Sequence, residues 1–462
     1  MNRAQESLYD ESRVRSSVST RNACKLCPPL GASIAFRGIE NCIPLIHGSQ
    51  GCSTYIRRYV ISHFREPVDI ASSNFSESSV IFGGGENLKK ALNNLVRQYG
   101  PEVIGIATTC LSETMGEDVR LYIDEYRRAM GPAQGPAIVH VSTPGYRGTH
   151  MEGYHEAVRA VVEALVQKAP PNGTVNIIPG FLSPEDFRHL KEVSSDFGMV
   201  TTMLPDYSDT LDGESWDGYQ RLSAGGTPVE AIRKMGGASG TIQLGRSCEG
   251  PGTAAAWLEE HLGVPALITG IPIGIRETDR FLAVLSRLSP AGTKVPSKYE
   301  RERGRLVDAY IDGHKYVFGK RAVLYGEVDF VVAMASFLDE IGVVPVVCST
   351  GAHPGNFRST VLSVLENTGE NITAVEDSDF MGILEACKEA RPDIIIGSSK
   401  GYFLSKQLGI PLVRAGFPIH DRIGGQRILH VGYRGTQQLF DRVVNALIEF
   451  RQNDSPVGYS YI

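Results

Sequence analysis

Features that mark several common protein classes are absent from the 462-residue sequence. No run approaches the roughly 18 to 20 consecutive apolar residues that a membrane-spanning helix needs. The first residues are polar and charged throughout and lack the apolar core of a secretory signal. We therefore expect no membrane anchor and no export, which places the protein in the cytoplasm.

The sequence also has little charge of one sign and few catalytic signatures. The formal net charge is -6, and no basic stripe is present that could neutralise nucleic-acid phosphates. Nucleic acid is therefore excluded as a partner. No H-E-x-x-H pair occurs, which argues against a zinc-dependent hydrolase.

Cysteine is scarce, with eight residues in the whole chain. A reducing cytoplasm keeps thiols free, so these cysteines are expected to be buried thiols or metal ligands rather than disulfides. Cys24 and Cys27 form a C-x-x-C pair, but no second pair follows at the spacing of a zinc ribbon. A zinc ribbon is therefore not predicted.

What is present is an ordinary globular composition, with 42% apolar and 21% charged residues. From about residue 100, short apolar runs alternate with segments of helical periodicity, a pattern typical of parallel sheets. We predict an α/β fold of three doubly wound, Rossmann-like domains. The candidate strands are Val103 to Ala107, Val175 to Ile178, Thr241 to Leu244, Ala322 to Tyr325, Val343 to Val347 and Ile394 to Ile396.

Stretches rich in proline and glycine separate these units into groups. The predicted limits are 21–170, 171–298 and 299–462, preceded by a polar arm over 1–20. The first of these domains contains most of the candidate site residues.

Two cysteines lie in turns that favour ligand chemistry. Cys52 follows a glycine-rich turn, and we expect Ser53 or Thr54 to cap the helix after it. The dipole of that helix would favour the Cys52 thiolate. Cys110 follows the strand that begins at Val103, at the crevice where open α/β sheets bind ligands. For each, a buried core thiol is an equally good interpretation.

Together with Cys27, these cysteines form an incomplete set for an iron–sulfur cluster, which normally takes four thiolates. Any missing ligands must come from another chain. Other candidates have simpler interpretations. Core thiols are predicted at Cys42, Cys348 and Cys387, packed imidazoles at His47, His63 and His150, and a tight helix entry at Gly83-Gly-Gly.

Several motifs resemble the β-type subunits of nitrogenase component 1. The cysteines at 27, 52 and 110 are separated by intervals of 25 and 58 residues that are similar to those of that family. The motifs are Cys27-Pro-Pro-Leu-Gly-Ala, Ile43-Pro-Leu-Ile-His-Gly-Ser-Gln-Gly-Cys52, His63-Phe-Arg-Glu-Pro67, Phe82-Gly-Gly, Thr108-Thr-Cys110, Gly116-Glu-Asp118 and Arg414-Ala-Gly-Phe-Pro418.

The resemblance implies the nitrogenase component 1 fold and an α2β2 heterotetramer with an α-type partner. It implies that Cys27, Cys52 and Cys110 hold half of an [8Fe-7S] P-cluster at the interface, with [4Fe-4S] as the alternative. An ATP-dependent iron protein would donate electrons, and Met115 matches an apolar position at its docking surface. The substrate-reducing cofactor would lie in the partner.

One departure concerns Thr149, which stands where nitrogenase β subunits often carry a serine that ligates the oxidised cluster. The complete cysteine triad favours a working reductase, and a methylthio-alkane reductase is the preferred expectation. The alternatives are a scaffold subunit for iron–molybdenum cofactor biosynthesis and a nitrogen-fixing β subunit. A metal-free α/β protein with core cysteines is the remaining possibility.

Overall fold

The computed structural model describes residues 25–131, 135–248, 250, 252–369 and 371–457. Every pair of neighbouring strands in this part of the chain is parallel, and the strands form three sheets. The α/β class with parallel sheets is therefore confirmed. The predicted arm over 1–20 lies outside the described residues. Within those residues, none of the helices combines the length and the apolar character needed to cross a membrane.

The first sheet has the strand order β2-β1-β3-β4. Its strands are β1 (Cys42–His47), β2 (Ala71–Ser72), β3 (Val103–Thr108) and β4 (Ala137–Val141). Its helices are α1 (Pro28–Arg37), α2 (Gln50–Phe64), α3 (Glu77–Phe82), α4 (Gly85–Tyr99), α5 (Cys110–Thr114), α6 (Val119–Met130) and α7 (His150–Leu165).

The central strand β3 is buried on both faces, as a strand between two helix layers must be. Ile104 and Ile106 join a cluster of apolar side chains from α4 and α6. Val103 and Ala107 point the other way, into a cluster with α1 and α7. Gly105 belongs to this second face, where a Cβ atom would lie 2.3 Å from the Phe36 ring. The absence of a side chain there lets α1 pack directly on the sheet.

The second sheet has the order β6-β5-β7-β8. Its strands are β5 (Val175–Ile178), β6 (Thr201–Met203), β7 (Thr241–Leu244) and β8 (Ala266–Thr269). Its helices are α8 (Pro184–Asp196), α9 (Val229–Arg233), α10 (Ala254–Leu262) and α11 (Ile275–Leu288).

The third sheet has the order β11-β10-β9-β12-β13. Its strands are β9 (Arg321–Tyr325), β10 (Val344–Ser349), β11 (Thr373–Val375), β12 (Ile394–Gly397) and β13 (Leu412–Arg414). Its helices are α12 (Ser297–Val317), α13 (Val328–Glu340), α14 (Phe357–Leu362), α15 (Phe380–Ala390), α16 (Tyr402–Leu408) and α17 (Gly432–Asp454). One continuous cluster of buried apolar side chains joins all three sheets.

All six strands predicted from apolar runs are present within two residues of their expected limits. Each of the predicted ranges 21–170, 171–298 and 299–462 encloses one sheet. The limits themselves stay a prediction. What matters for function is that β1 and β3 are neighbours, because the candidate cysteines follow them.

Candidate metal centre

The three candidate cysteines lie at the beginnings of three helices. Cys27 is the N-cap residue of α1, Cys52 lies in the first turn of α2, and Cys110 is the first residue of α5. Strands β1 and β3 pair in parallel up to His47 and Thr108, so the segments after both strands emerge at the same sheet edge. This edge is where open α/β sheets place their ligands.

A close backbone approach fixes the segment before Cys52 against the segment before Cys110. A Cβ atom on Gly48 would lie 2.2 Å from the Thr109 Oγ1 atom. The Thr109 hydroxyl also donates a 3.2 Å hydrogen bond to the His47 carbonyl. Only glycine fits at position 48, and the fit holds the two cysteine-bearing turns side by side.

Cys27 reaches the same region because α1 packs tightly on α7. A Cβ atom on Gly31 would lie 1.7 Å from the His150 carbonyl oxygen, and one on Gly153 would lie 2.1 Å from the Pro28 carbonyl oxygen. These contacts pair the first turns of the two helices. Cys27 and Thr149, the residues that precede them, therefore lie at the same end of the helix pair.

The sulfur atoms of Cys110 and Cys27 both lie close to Gly145. Its amide nitrogen donates a 3.0 Å hydrogen bond to the Cys110 Sγ atom. A Cβ atom on Gly145 would lie 2.9 Å from the Cys110 Sγ atom and 3.6 Å from the Cys27 Sγ atom. Cys52 is near enough to contribute to the raised pKa of Cys27, and its own Sγ atom lies 3.8 Å from the Ser49 hydroxyl.

The environment of these thiols differs from that of core cysteines. Cys27 and Cys110 are exposed and Cys52 is half-buried. Partial burial of its sulfur, and then the neighbouring Cys110 and Cys52 groups, raise the pKa of Cys27. A metal ion would therefore release a proton when it binds this sulfur, because ligation requires the thiolate.

Cys42, Cys348 and Cys387 are buried, as predicted for core thiols. Burial raises the pKa of Cys42, of Cys348 and of Cys387 to about 12 in each case. Such thiols are inert. These three buried cysteines thus differ from Cys27, Cys52 and Cys110, which are at least partly accessible.

The three thiols are a donor set of the kind that iron–sulfur clusters use. In the described ranges, no three His, Cys, Asp or Glu side chains stand close enough to hold one metal ion. A cluster of several iron atoms bridges a wider gap and takes thiolates as its ligands. Accessible sulfurs and an N–H donor to one of them are compatible with a cluster shared with another chain.

Thr149 is the buried N-cap residue of α7. Its hydroxyl donates to the Glu152 carboxylate and accepts a 3.2 Å hydrogen bond from the Met151 amide. The hydroxyl is thus engaged in a capping box. Its ligation of an oxidised cluster stays a prediction.

Met115 ends α5 and is half-buried. An exposed apolar pair lies beside its loop, with Ile81 74% and Phe82 86% accessible. The two segments are neighbours, because Gly84, two residues after Phe82, donates a 2.8 Å hydrogen bond from its amide to the carboxylate of Glu117, two residues after Met115. We call Ile81, Phe82 and Met115 the apolar rim of the site.

The expected helix cap at Ser53 or Thr54 is wrong. Helix α2 begins at Gln50, so Cys52 lies inside its first turn, and Ser49 is the N-cap residue. The hydroxyls of Ser53 and Thr54 instead donate back to the Gln50 carbonyl, at 2.9 and 3.0 Å. Hydroxyl side chains form such backward bonds when they fall within a helix rather than before it.

The three flanking histidines are buried and paired, as predicted for packed imidazoles. His47 contacts the Ser73 hydroxyl at 3.1 Å, and His150 contacts Glu327 at 3.1 Å. His63 accepts a 2.9 Å hydrogen bond from the Ile419 amide. None of these contacts involves a candidate cysteine.

Comparison with known proteins shows the family of the chain. Residues 27–448 match the family model for nitrogenase component 1 type oxidoreductases. The chain is 36% identical to the nitrogenase molybdenum-iron protein beta chain of Clostridium pasteurianum, over 93% of both chains. It is 33% identical to the nitrogenase iron-molybdenum cofactor biosynthesis protein NifN of Bradyrhizobium diazoefficiens, over 94% of this chain and 91% of the relative.

A solved structure of nitrogenase Cp1 at pH 6.5 superposes with a TM-score of 0.91 at 34% identity, over 96% of each chain. The match therefore includes all three sheets as well as the segments that carry the cysteines. The chain belongs to the nitrogenase component 1 type oxidoreductase family, as a β-type subunit.

Proposed function

We propose that this chain holds half of an iron–sulfur cluster at an interface with an α-type partner subunit. Cys27, Cys52 and Cys110 are the ligands on this side, and the partner supplies the others. The cluster is of the [8Fe-7S] type, in an assembly of two α-type and two β-type subunits. The role of the chain is to relay electrons from an ATP-dependent iron protein toward a metal–sulfur cofactor in the partner.

The observation that carries this proposal is the convergence of accessible thiols from three separate segments. The Sγ atoms of Cys27 and Cys110 approach the same point on Gly145, and Cys52 lies in the first turn of the neighbouring helix α2. Because these residues are not enclosed by their own chain, a partner surface can complete the ligand set and exclude water.

An iron–sulfur cluster supplies reversible electron transfer when it is bound. The chain contributes the thiolates and the Gly145 N–H that hydrogen-bonds the Cys110 sulfur. Hydrogen bonds to ligating sulfurs and burial by the partner both tune the reduction potential. The chain thus positions and tunes the relay, and it does not bind the substrate.

The apolar rim supports a docking role beside the cysteines. Phe82 and Ile81 are adjacent and expose most of their side chains, and adjacent exposed apolar side chains are what a docking partner can cover. Their link to the Met115 loop through Gly84 and Glu117 places them near α5, which begins with Cys110. We propose that the iron protein docks on this rim.

For the substrate, we propose small carbon–sulfur compounds such as methylthio-alkanes, as the complete cysteine triad suggested. The names of the relatives support a nitrogen-fixing role or a scaffold role at least as strongly. Substrate contacts lie on the partner, so the partner decides between these reactions. A turnover assay of the complex with its iron protein separates them. Ethane from ethyl methyl sulfide supports the reductase, ammonia from dinitrogen supports nitrogen fixation, and no turnover with a transferable cofactor supports the scaffold.

The ligand proposal is tested by iron analysis of the complex, purified anaerobically with its partner. The variant C27A/C52A/C110A should lose about eight iron atoms per αβ pair, while a loss of about four would support a [4Fe-4S] cluster instead. The matched control is C348A/C387A, which removes buried thiols and should keep all the iron. Unchanged iron in the triple variant would refute the ligand role.

A further inference from the structure

Glu113 lies one helical turn after Cys110 and accepts two short hydrogen bonds with a single oxygen. Its Oε1 atom is 2.5 Å from the Thr108 hydroxyl and 2.6 Å from the Ser142 hydroxyl. Thr108 is the last residue of β3, and Ser142 directly follows β4. One carboxylate oxygen therefore ties α5 to the ends of two neighbouring strands.

The segment that begins at Ser142 leads directly to the sulfur of Cys110. Thr143 forms two hydrogen bonds with Thr108. Its amide donates to the Thr108 hydroxyl at 2.8 Å, and its own hydroxyl donates to the Thr108 carbonyl at 2.7 Å. Two residues later, the Gly145 amide donates to the Cys110 Sγ atom. The Glu113 carboxylate therefore links the helix that carries Cys110 to the segment that carries the Gly145 N–H donor.

The Glu113 carboxylate forms its hydrogen bonds with the hydroxyls of Thr108 and Ser142. The charge of Glu113 acts on His47 and His140, but burial lowers the pKa of His47 and lowers that of His140 to about 4. Both imidazoles are therefore neutral at pH 7. The charges of Arg120 and Asp118 also affect the pKa of His140.

We propose that Glu113 is a positioning residue that holds the Gly145 N–H on the Cys110 sulfur and thereby sets the reduction potential of the cluster. This inference rests on the proposed function, which makes Cys110 a ligand. Glu113 would act through Ser142 and Thr108, without contact with the cluster.

The direction of the effect follows from the chemistry of the hydrogen bond. An N–H donor stabilises negative charge on a ligating sulfur, so it favours the reduced form of a cluster. Without the tie at Ser142, the segment over 142–145 is less constrained and the N–H···S bond is weakened. The reduction potential should then become more negative.

The experiment is a potentiometric titration of the complex with its partner, followed by EPR, with iron content measured in parallel. E113A and S142A should both shift the potential to more negative values while iron is retained. E113Q keeps an acceptor oxygen in the same place and should stay near wild type. The control S62A removes a hydroxyl that donates to the Arg58 carbonyl within the Cys52 helix, and it should cause no shift.

Two results would overturn the inference. One is a potential in both E113A and S142A that equals that of wild type. The other is a shift in E113Q as large as in E113A, with no shift in S142A. The potential would then depend on the charge of Glu113 and not on its hydrogen bond to Ser142. Full iron retention in C110A would refute the ligand role of Cys110 itself, and with it the basis of the inference.

Discussion

The amide nitrogen of Gly145 lies 3.0 Å from the Sγ atom of Cys110, although 35 residues separate the two in sequence. We expect G145A to weaken iron binding by roughly tenfold or more, in line with other changes beside metal ligands. The added Cβ atom would lie 2.9 Å from the Cys110 sulfur, which must shift from its position. Iron content of the anaerobically purified complex is the measurement.

A matched control for this substitution is G218A. A Cβ atom on Gly218 meets nothing within 4 Å, so the same added methyl group should leave the iron content unchanged. If G145A retained iron as fully as G218A, the close approach of the sulfurs at Gly145 would have no role in cluster binding.

The sequence predicted the fold and part of the site because those features depend on local patterns. Strand β3 is a continuous apolar run, and such a run signals burial on both faces wherever it occurs. The two-residue strand Ala71–Ser72 has no such pattern, since its pairing depends on the neighbouring strand β1. Cys52 and Cys110 are candidates from sequence alone because ligands in open α/β sheets bind at the ends of strands, which these residues follow.

The partners of the cysteines were not predictable in the same way. Gly145 lies in a Pro-Gly turn that has no cysteine near it in sequence, and its hydrogen bond forms only when β3 and β4 are paired. The start of α2 was also misplaced, because hydroxyl residues favour both caps and backward bonds within a first turn. Ser49 was therefore overlooked in favour of Ser53 and Thr54.

The apolar rim leads to a prediction about docking. F82A should raise the concentration of iron protein needed for half-maximal electron transfer by roughly tenfold, because a large exposed aromatic side chain is a typical interface anchor. The iron content should not change, since Phe82 contacts none of the three cysteines. The measurement is the initial rate of electron transfer as a function of iron-protein concentration.

The control for docking is F318A. Phe318 is also an exposed aromatic residue, with 66% of its side chain accessible, but it follows α12 in the third domain. Its loss should leave the half-maximal concentration unchanged. Equal effects of F82A and F318A would exclude a specific role for the rim.

The packing of α1 on α7 gives a prediction about stability. G31A should lower the free energy of unfolding by about 3 kcal/mol, at the upper end of what overpacking costs, because its Cβ atom would lie 1.7 Å from the His150 carbonyl oxygen. The backbones of α1 and α7 must move apart to make room for the added methyl group. In contrast, Gly304 lies in α12, and a Cβ atom there would meet nothing within 4 Å. G304A should therefore raise the free energy of unfolding by about 0.5 to 1 kcal/mol. Urea unfolding of both variants is the measurement, and equal midpoints would contradict the packing account.

His63 should make the stability of the chain depend on pH. The side chain is buried, and burial lowers the pKa of His63 from 6.5 to about 3. Its Nδ1 atom accepts a hydrogen bond from the Ile419 amide, which requires that this nitrogen carry no proton. As the pH falls below 6.5 the unfolded chain takes up a proton here and the folded chain does not. Stability present at neutral pH is therefore lost between pH 6.5 and about 3.

The expected size of this loss between pH 7 and pH 5 is about 2 kcal/mol, from linkage between folding and protonation. H63Q removes the titrating group but keeps an acceptor for the Ile419 amide. The decrease in unfolding free energy over that pH range should then be smaller by about 2 kcal/mol, as measured by urea unfolding at both pH values. H314Q, which changes an exposed imidazole on α12, serves as the control. A pH dependence that is the same in H63Q and wild type would show that His63 is protonated equally in the folded and unfolded chains.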